Sequence, residues 1–149
     1  MNYVTSSNFL WLIKNTITLV YGGWFIYIGI QHFVDPEWFE PIVPVFLGYP
    51  KFWVLFSGLI EILLGAFLII PFTRKISGVC LVIFLIVIYI ANINMWIFDI
   101  PIDGNKLTTQ GHIIRGFAQI LLITISLYIV EFNPINYLRL KLRIRQILR

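Results

Sequence analysis

Five residues could carry chemistry in an otherwise apolar chain: His32, Glu61, Asn92, Arg115 and Gln119. Glu61 stands in "SGLIEILLGAF", Ser57 to Phe67, where every neighbour suits a lipid environment. A carboxylate at the centre of a membrane helix costs about 2.5–3.5 kcal/mol on insertion scales. A chain that keeps one either buries it against a partner or uses it. Arg115 is the partner of opposite charge, with Gln119, Asn92 and His32 expected nearby. Arg115 and Gln119 can donate to a carbonyl, and Glu61 or His32 can exchange a proton. Such a cluster could bind a polar head group or relay a proton. It could equally be architecture. A buried Glu–Arg pair can fix helix register, and an uncharged Glu61 needs only one hydrogen-bonded neighbour.

Other chemistries find no support. His32 and His112 are far apart and no carboxylates cluster near them, so no metal site is expected. The single cysteine, Cys80, permits neither an intrachain disulfide nor a CxxC redox pair. No phosphate loop, nucleophile elbow or haem-attachment motif is present. No catalytic residue can be named, and the chain itself shows no redox centre.

The elements that must position these residues are membrane helices. The chain has 149 residues, 59% hydrophobic and 12% charged, with mean hydropathy +0.88. A soluble domain carries about 25% charged residues. Four apolar runs have the length of about 20 residues that a span requires: residues 10–30, 52–70, 76–98 and 112–130. The fold expected over residues 1–149 is all-α, a single four-helix transmembrane bundle. The first run is too long for a removable signal peptide and has no small-residue cleavage site.

At about 100° per residue, Ser57, Gly58, Glu61 and Gly65 share one face of the second helix. Small residues mark close helix approach, so Glu61 should point into the bundle. His112, Arg115, Gln119 and Ser126 form a polar seam on the fourth helix that must also face inward. Gly78, Tyr89, Asn92 and Trp96 share a face of the third helix. Trp24, Tyr27 and Gln31 share one on the first, with His32 at its outer end.

The loops set orientation. The turn "PFTRK" and the tail 136–149 are basic, whereas residues 31–51 and "DIPIDGNKLTTQG" are acid-rich. The positive-inside rule then puts both termini and the Arg74 turn in the cytoplasm. The segment "HFVDPEWFEPIVPVFLGYP" holds four prolines, too many for a regular helix. It is expected as a broken segment lying in the outer interface, with Trp38, Phe39 and Phe46 dipped into that interface, or as a lid packed only on protein. The net charge of +4 points to anionic lipid at the tail, not to nucleic acid. The alternation in "LRLKLRIR" has strand period. It is read as a membrane-surface segment or a docking strand.

On several of these stretches the chain resembles the DoxX family of small bacterial membrane proteins. The resemblance rests on "GIQHFVDPEWFEPIVP", "SGLIEILLGAFLIIPFTR", "ANINMW" and "RGFAQILLI". It includes the Gly-x-x-Glu-x-x-x-Gly core at Gly58, Glu61 and Gly65, and the family's Arg and Gln at Arg115 and Gln119. A proline common after that arginine is replaced here by Gly116, Phe117 and Ala118. The resemblance implies a four-helix protein of the bacterial inner membrane. It also implies an accessory or quinone-interacting role beside a redox-enzyme partner, with quinone the only cofactor suggested. The rival expectation is a non-enzymatic structural or assembly protein whose polar cluster only fixes helix packing.

Overall fold

The computed structural model describes residues 3–102 and 104–131. Four of its helices are long and apolar enough to cross a membrane: α1 (Tyr3–Val34), α3 (Pro50–Ile69), α4 (Arg74–Ile97) and α5 (Thr109–Glu131). A fifth, α2 (Pro36–Phe39), is one turn long and is followed by two 3₁₀ turns, Glu40–Ile42 and Val45–Leu47. The basic tail lies outside the described residues, so the strand-period reading of "LRLKLRIR" does too.

The helices follow the four apolar runs and overshoot most of their ends. α1 continues past its hydrophobic stretch at both ends, because no proline occurs before Pro36. α4 begins at Arg74, so the two basic residues expected in a turn occupy its first helical turn. It ends where Asp99 takes a left-handed backbone (φ 52°). Ile100 N–H then bonds the Met95 carbonyl at 3.0 Å and Asp99 N–H that of Trp96 at 3.4 Å. This is the paired closure that a left-handed residue gives a helix end.

The bundle is two helix pairs, α1 with α3 and α4 with α5, joined more lightly by α3 against α4. Glycines explain the first pair. Gly22 and Gly29 on α1 face Gly65 and Gly58 on the antiparallel α3. A methyl on Gly65 would stand 2.6 Å from the Gly22 carbonyl, and one on Gly29 would stand 2.6 Å from that of Gly58. Only backbones without side chains can approach so closely, as small residues allow in membranes. Ser77 ties α4 to α3 by donating to the Leu64 carbonyl at 2.6 Å. Tyr21, Phe25, Leu68, Leu81, Leu85 and Ile129 form the buried core.

Trp24 and Tyr27 do share a side of α1, but it is exposed. The packed side carries Thr18, Tyr21, Gly22, Phe25, Gly29 and His32. The close glycine contacts turn α1 this way, and bulky Trp24 and Tyr27 are left pointing out.

The proline-rich segment is broken into short turns, as its prolines require. Its inner edge is a lid: Ile42 and Pro44 are buried and Phe39 stacks on His32. Its outer edge is open, with Val45 92% and Phe46 79% exposed. Asp35 starts α2 by accepting from Trp38 N–H at 3.3 Å.

Candidate functional site

The five polar residues do not form one cluster. Glu61 meets His32: its Oε2 lies 3.5 Å from His32 Nδ1. Arg115 meets Asn92, donating from Nε at 3.2 Å and also from a terminal nitrogen, both to Oδ1. Gln119 donates to the Leu85 carbonyl at 2.6 Å. The pairing of Glu61 with Arg115 expected from charge is therefore not made. Among the described residues the ion pairs are Glu61–His32 and the exposed Asp99–Lys106.

Helix faces explain why. α5 spends Arg115 and Gln119 on α4, through Asn92 and the Leu85 carbonyl. α3 presents the face of Gly58, Glu61 and Gly65 to α1, where the glycines draw it in. One face cannot serve two neighbours.

The His32–Glu61 contact has its own geometry. Cβ atoms on a helix tilt toward that helix's N-terminus. In the antiparallel α1–α3 pair those tilts are opposed, so His32 reaches inward and Glu61 reaches outward. Gly58 lies between them without a side chain. A methyl there would come 2.5 Å from His32 Cβ. Phe39 roofs the imidazole, with ring centroids 3.9 Å apart and planes 18° apart.

Polar accounting marks this contact as unusual. His32 Nδ1 lies 2.9 Å from the Ile28 carbonyl. A carbonyl only accepts, so Nδ1 carries a hydrogen there. Glu61 is 5% exposed, yet its Oε2 accepts no hydrogen bond among the described residues. Buried polar atoms are nearly always satisfied, and leaving one unmet costs about 1–3 kcal/mol. With Nδ1–H committed to Ile28, one further proton can rest on His32 Nε2 or on the Glu61 carboxyl. Either placement leaves the pair with no net charge. The arrangement can thus hold one proton, on either residue, with no net charge on the pair.

Arg74 escaped the reading of the sequence, where it counted only as a cytoplasmic charge. It is 3% exposed. Its Nε donates to the Leu68 carbonyl at 3.1 Å and one terminal nitrogen to that of Ile69 at 3.1 Å. The other donates to Asn15 Oδ1 at 2.9 Å. Thr73 Oγ1 donates to the Phe67 carbonyl at 2.7 Å, and Ile70 N–H reaches that of Ala66 at 3.4 Å. The last four carbonyls of a helix have no partner within it; here all four of α3 are met. The signal was present in "PFTR": a hydroxyl and a guanidinium directly after a helix C-terminus, where cations are favoured.

His112 belongs to packing. It is buried and its ring is parallel to that of Trp96, with centroids 5.5 Å apart. Among the described residues no group of three or more His, Cys, Asp or Glu could hold a metal ion.

No curated protein and no solved structure matches the chain. A family model does match, over residues 21–130, from the first core tyrosine to the end of α5. The chain belongs to the family described as a domain of unknown function, DUF8561.

Proposed function

We propose that this protein is an accessory, quinone-interacting subunit of a membrane redox system, and that His32 and Glu61 beneath Phe39 are its working site. The observation that carries the reading is the buried Glu61 Oε2, which has no hydrogen-bond donor among the described residues. A bound head group with a hydroxyl would supply the missing donor, and a hydroquinone has one. The bound quinone would supply the electron chemistry. The chain's own part is to orient the head group and hold a proton on the His32–Glu61 pair. The resemblance to the DoxX family gives the same direction, including a redox-enzyme partner.

Mass spectrometry of the gently extracted protein tests this. The wild type should carry a quinone that Glu61→Gln has lost. No small ligand in either, with one stoichiometric protein partner in both, would make this a scaffold subunit and reduce Glu61 to architecture. For Asn92, Arg115 and Gln119 the structural reading is favoured, because each already ties α4 to α5.

The setting we propose is the bacterial inner membrane, with both termini and the Arg74 turn in the cytoplasm and anionic lipid at the basic tail. The bias of basic residues toward one end of the bundle supports it. A cysteine at Glu37, in a Cys80→Ser background, should react with an impermeant maleimide in intact cells. Labelling only after lysis would invert the topology.

A further inference from the structure

The α4–α5 pair leaves hydrogen-bonding capacity unspent on its outer side. Gln119 is 7% exposed, and its amide nitrogen is committed to the Leu85 carbonyl. Its Oε1 accepts no hydrogen bond among the described residues, yet it is not enclosed as Glu61 Oε2 is. The opening that Gln119 lines is a groove of about 190 Å³ between the two helices, shared with Ile86, Tyr89, Gly116, Ile120 and Ile123. Gly116 makes the groove: the Tyr89 hydroxyl lies 3.0 Å from the place a methyl there would take. That hydroxyl too bonds nothing among the described residues. The groove is smaller than the usual ligand site, about 300–1,000 Å³, and nearer the size of one side chain. Acyl chains offer no hydrogen bond. A neighbouring helix can offer one, and small residues let it approach.

α1 carries a hydroxyl with the same deficit. Tyr27 is 53% exposed within the span Asn8–Val34, and its hydroxyl has no partner among the described residues. It lies seven residues before Val34, about 10 Å along the helix. Its Cβ tilts toward the N-terminus of α1, so the ring is carried deeper and not to the surface. Tyr27 also shares the depth of the groove. Tyr21 meets the Leu122 carbonyl and Ser126 Oγ. Tyr27 is six residues from Tyr21 toward the lid end, about 9 Å. Gln119 is three and seven residues from Leu122 and Ser126 in the same direction, about 4.5–10.5 Å. α5 packs on α4 and meets α1 through Tyr21, so it stands between the helix of Tyr27 and the helix of Tyr89. A two-fold axis along the membrane normal beside α5 preserves every depth. It brings α1 of one copy opposite α4 of the other.

We propose that two copies of this chain associate through this face, with Tyr27 of each seated in the α4–α5 groove of the other. The Tyr27 hydroxyl donates to Gln119 Oε1 and accepts from the Tyr89 hydroxyl, and symmetry makes both contacts twice. The groove shares no residue with the His32–Glu61 pair, so either can fail alone.

Disulfide trapping in native membranes, in a Cys80→Ser background, tests the face. A chain with Tyr27→Cys should link to a second chain with Ile120→Cys, on the groove wall, and not to one with Val87→Cys. Val87 and Ile120 are 56% and 62% exposed, but Val87 points about 100° away from Ile86 around α4. Each mixed pair keeps one unaltered Tyr27 to hold the dimer. Equal trapping at both positions, or trapping at neither, would overturn the proposal. Native mass spectrometry in mild detergent tests the hydrogen bonds. The wild type should be a dimer. Tyr27→Phe removes one oxygen from an exposed side chain, and should raise the dimer dissociation constant on the order of tenfold. A Tyr27→Phe dimer as tight as the wild type would also overturn the proposal. So would a monomeric wild type, whether bare or holding a lipid-soluble alcohol.

Discussion

The C-terminus of α3 and the His32–Glu61 contact treat buried polar groups in opposite ways. At the basic end, every late carbonyl of α3 has a donor, and all three nitrogens of Arg74 are used. At the other end, Glu61 is as buried as a core residue and its Oε2 accepts no hydrogen bond among the described residues. A membrane interior offers no water to make up such a deficit. Complete satisfaction at the α3 C-terminus therefore marks a joint that holds the fold together. The unmet Glu61 Oε2 is the observation on which the proposed ligand and proton site rests.

Three substitutions can break or sharpen that contrast. Arg74→Met should be the most damaging. It strips donors from the Leu68 and Ile69 carbonyls and from Asn15, and should cost about 3–5 kcal/mol. Thermal unfolding in detergent measures it. Arg74→Lys should recover only part of the loss, because a single ammonium cannot reproduce the guanidinium fork.

Gly58→Ala should come next, at about 1–3 kcal/mol, the usual range for overpacking. Its methyl would meet His32 Cβ at 2.5 Å and the Gly29 carbonyl at 2.9 Å, in both cases atoms that cannot swing aside. Gly23→Ala is the control, since a methyl there meets nothing within 4 Å. If both variants melt alike, the close α1–α3 approach is wrong.

Glu61→Gln should be the smallest, within about 1 kcal/mol of wild type in either direction, because no hydrogen bond to Oε2 is lost. A loss as large as that of Arg74→Met would abolish the contrast and make Glu61 a structural residue.

Much of the fold could be read in advance from local pattern. Four apolar runs of spanning length became four helices. The face holding Gly58, Glu61 and Gly65 is buried, as the small residues beside Glu61 implied, and so are His112, Gln119 and Ser126 on α5. The proline-rich segment is broken where its prolines require it. The candidate site was legible only in its members. Opposite charge suggested Glu61 with Arg115, but glycines on α1 drew Glu61 to His32 and left Arg115 to Asn92. Arg74 looked like a loop charge because its sequence neighbours are a turn. Its burial depends on carbonyls of the preceding helix and an amide from α1.

The sequence by itself determined which segments lie in the membrane and which face of α3 and of α5 turns inward. Hydrophobic length and the 3.6-residue repeat are local properties, so a single chain displays them. Only the tertiary structure decided which inward faces meet, that α1 shows Trp24 and Tyr27 to the outside, and that Glu61 Oε2 lacks a donor among the described residues. Helix pairing is set by how closely two backbones can approach. That depends on glycines brought opposite one another across the bundle, which no single helix reveals.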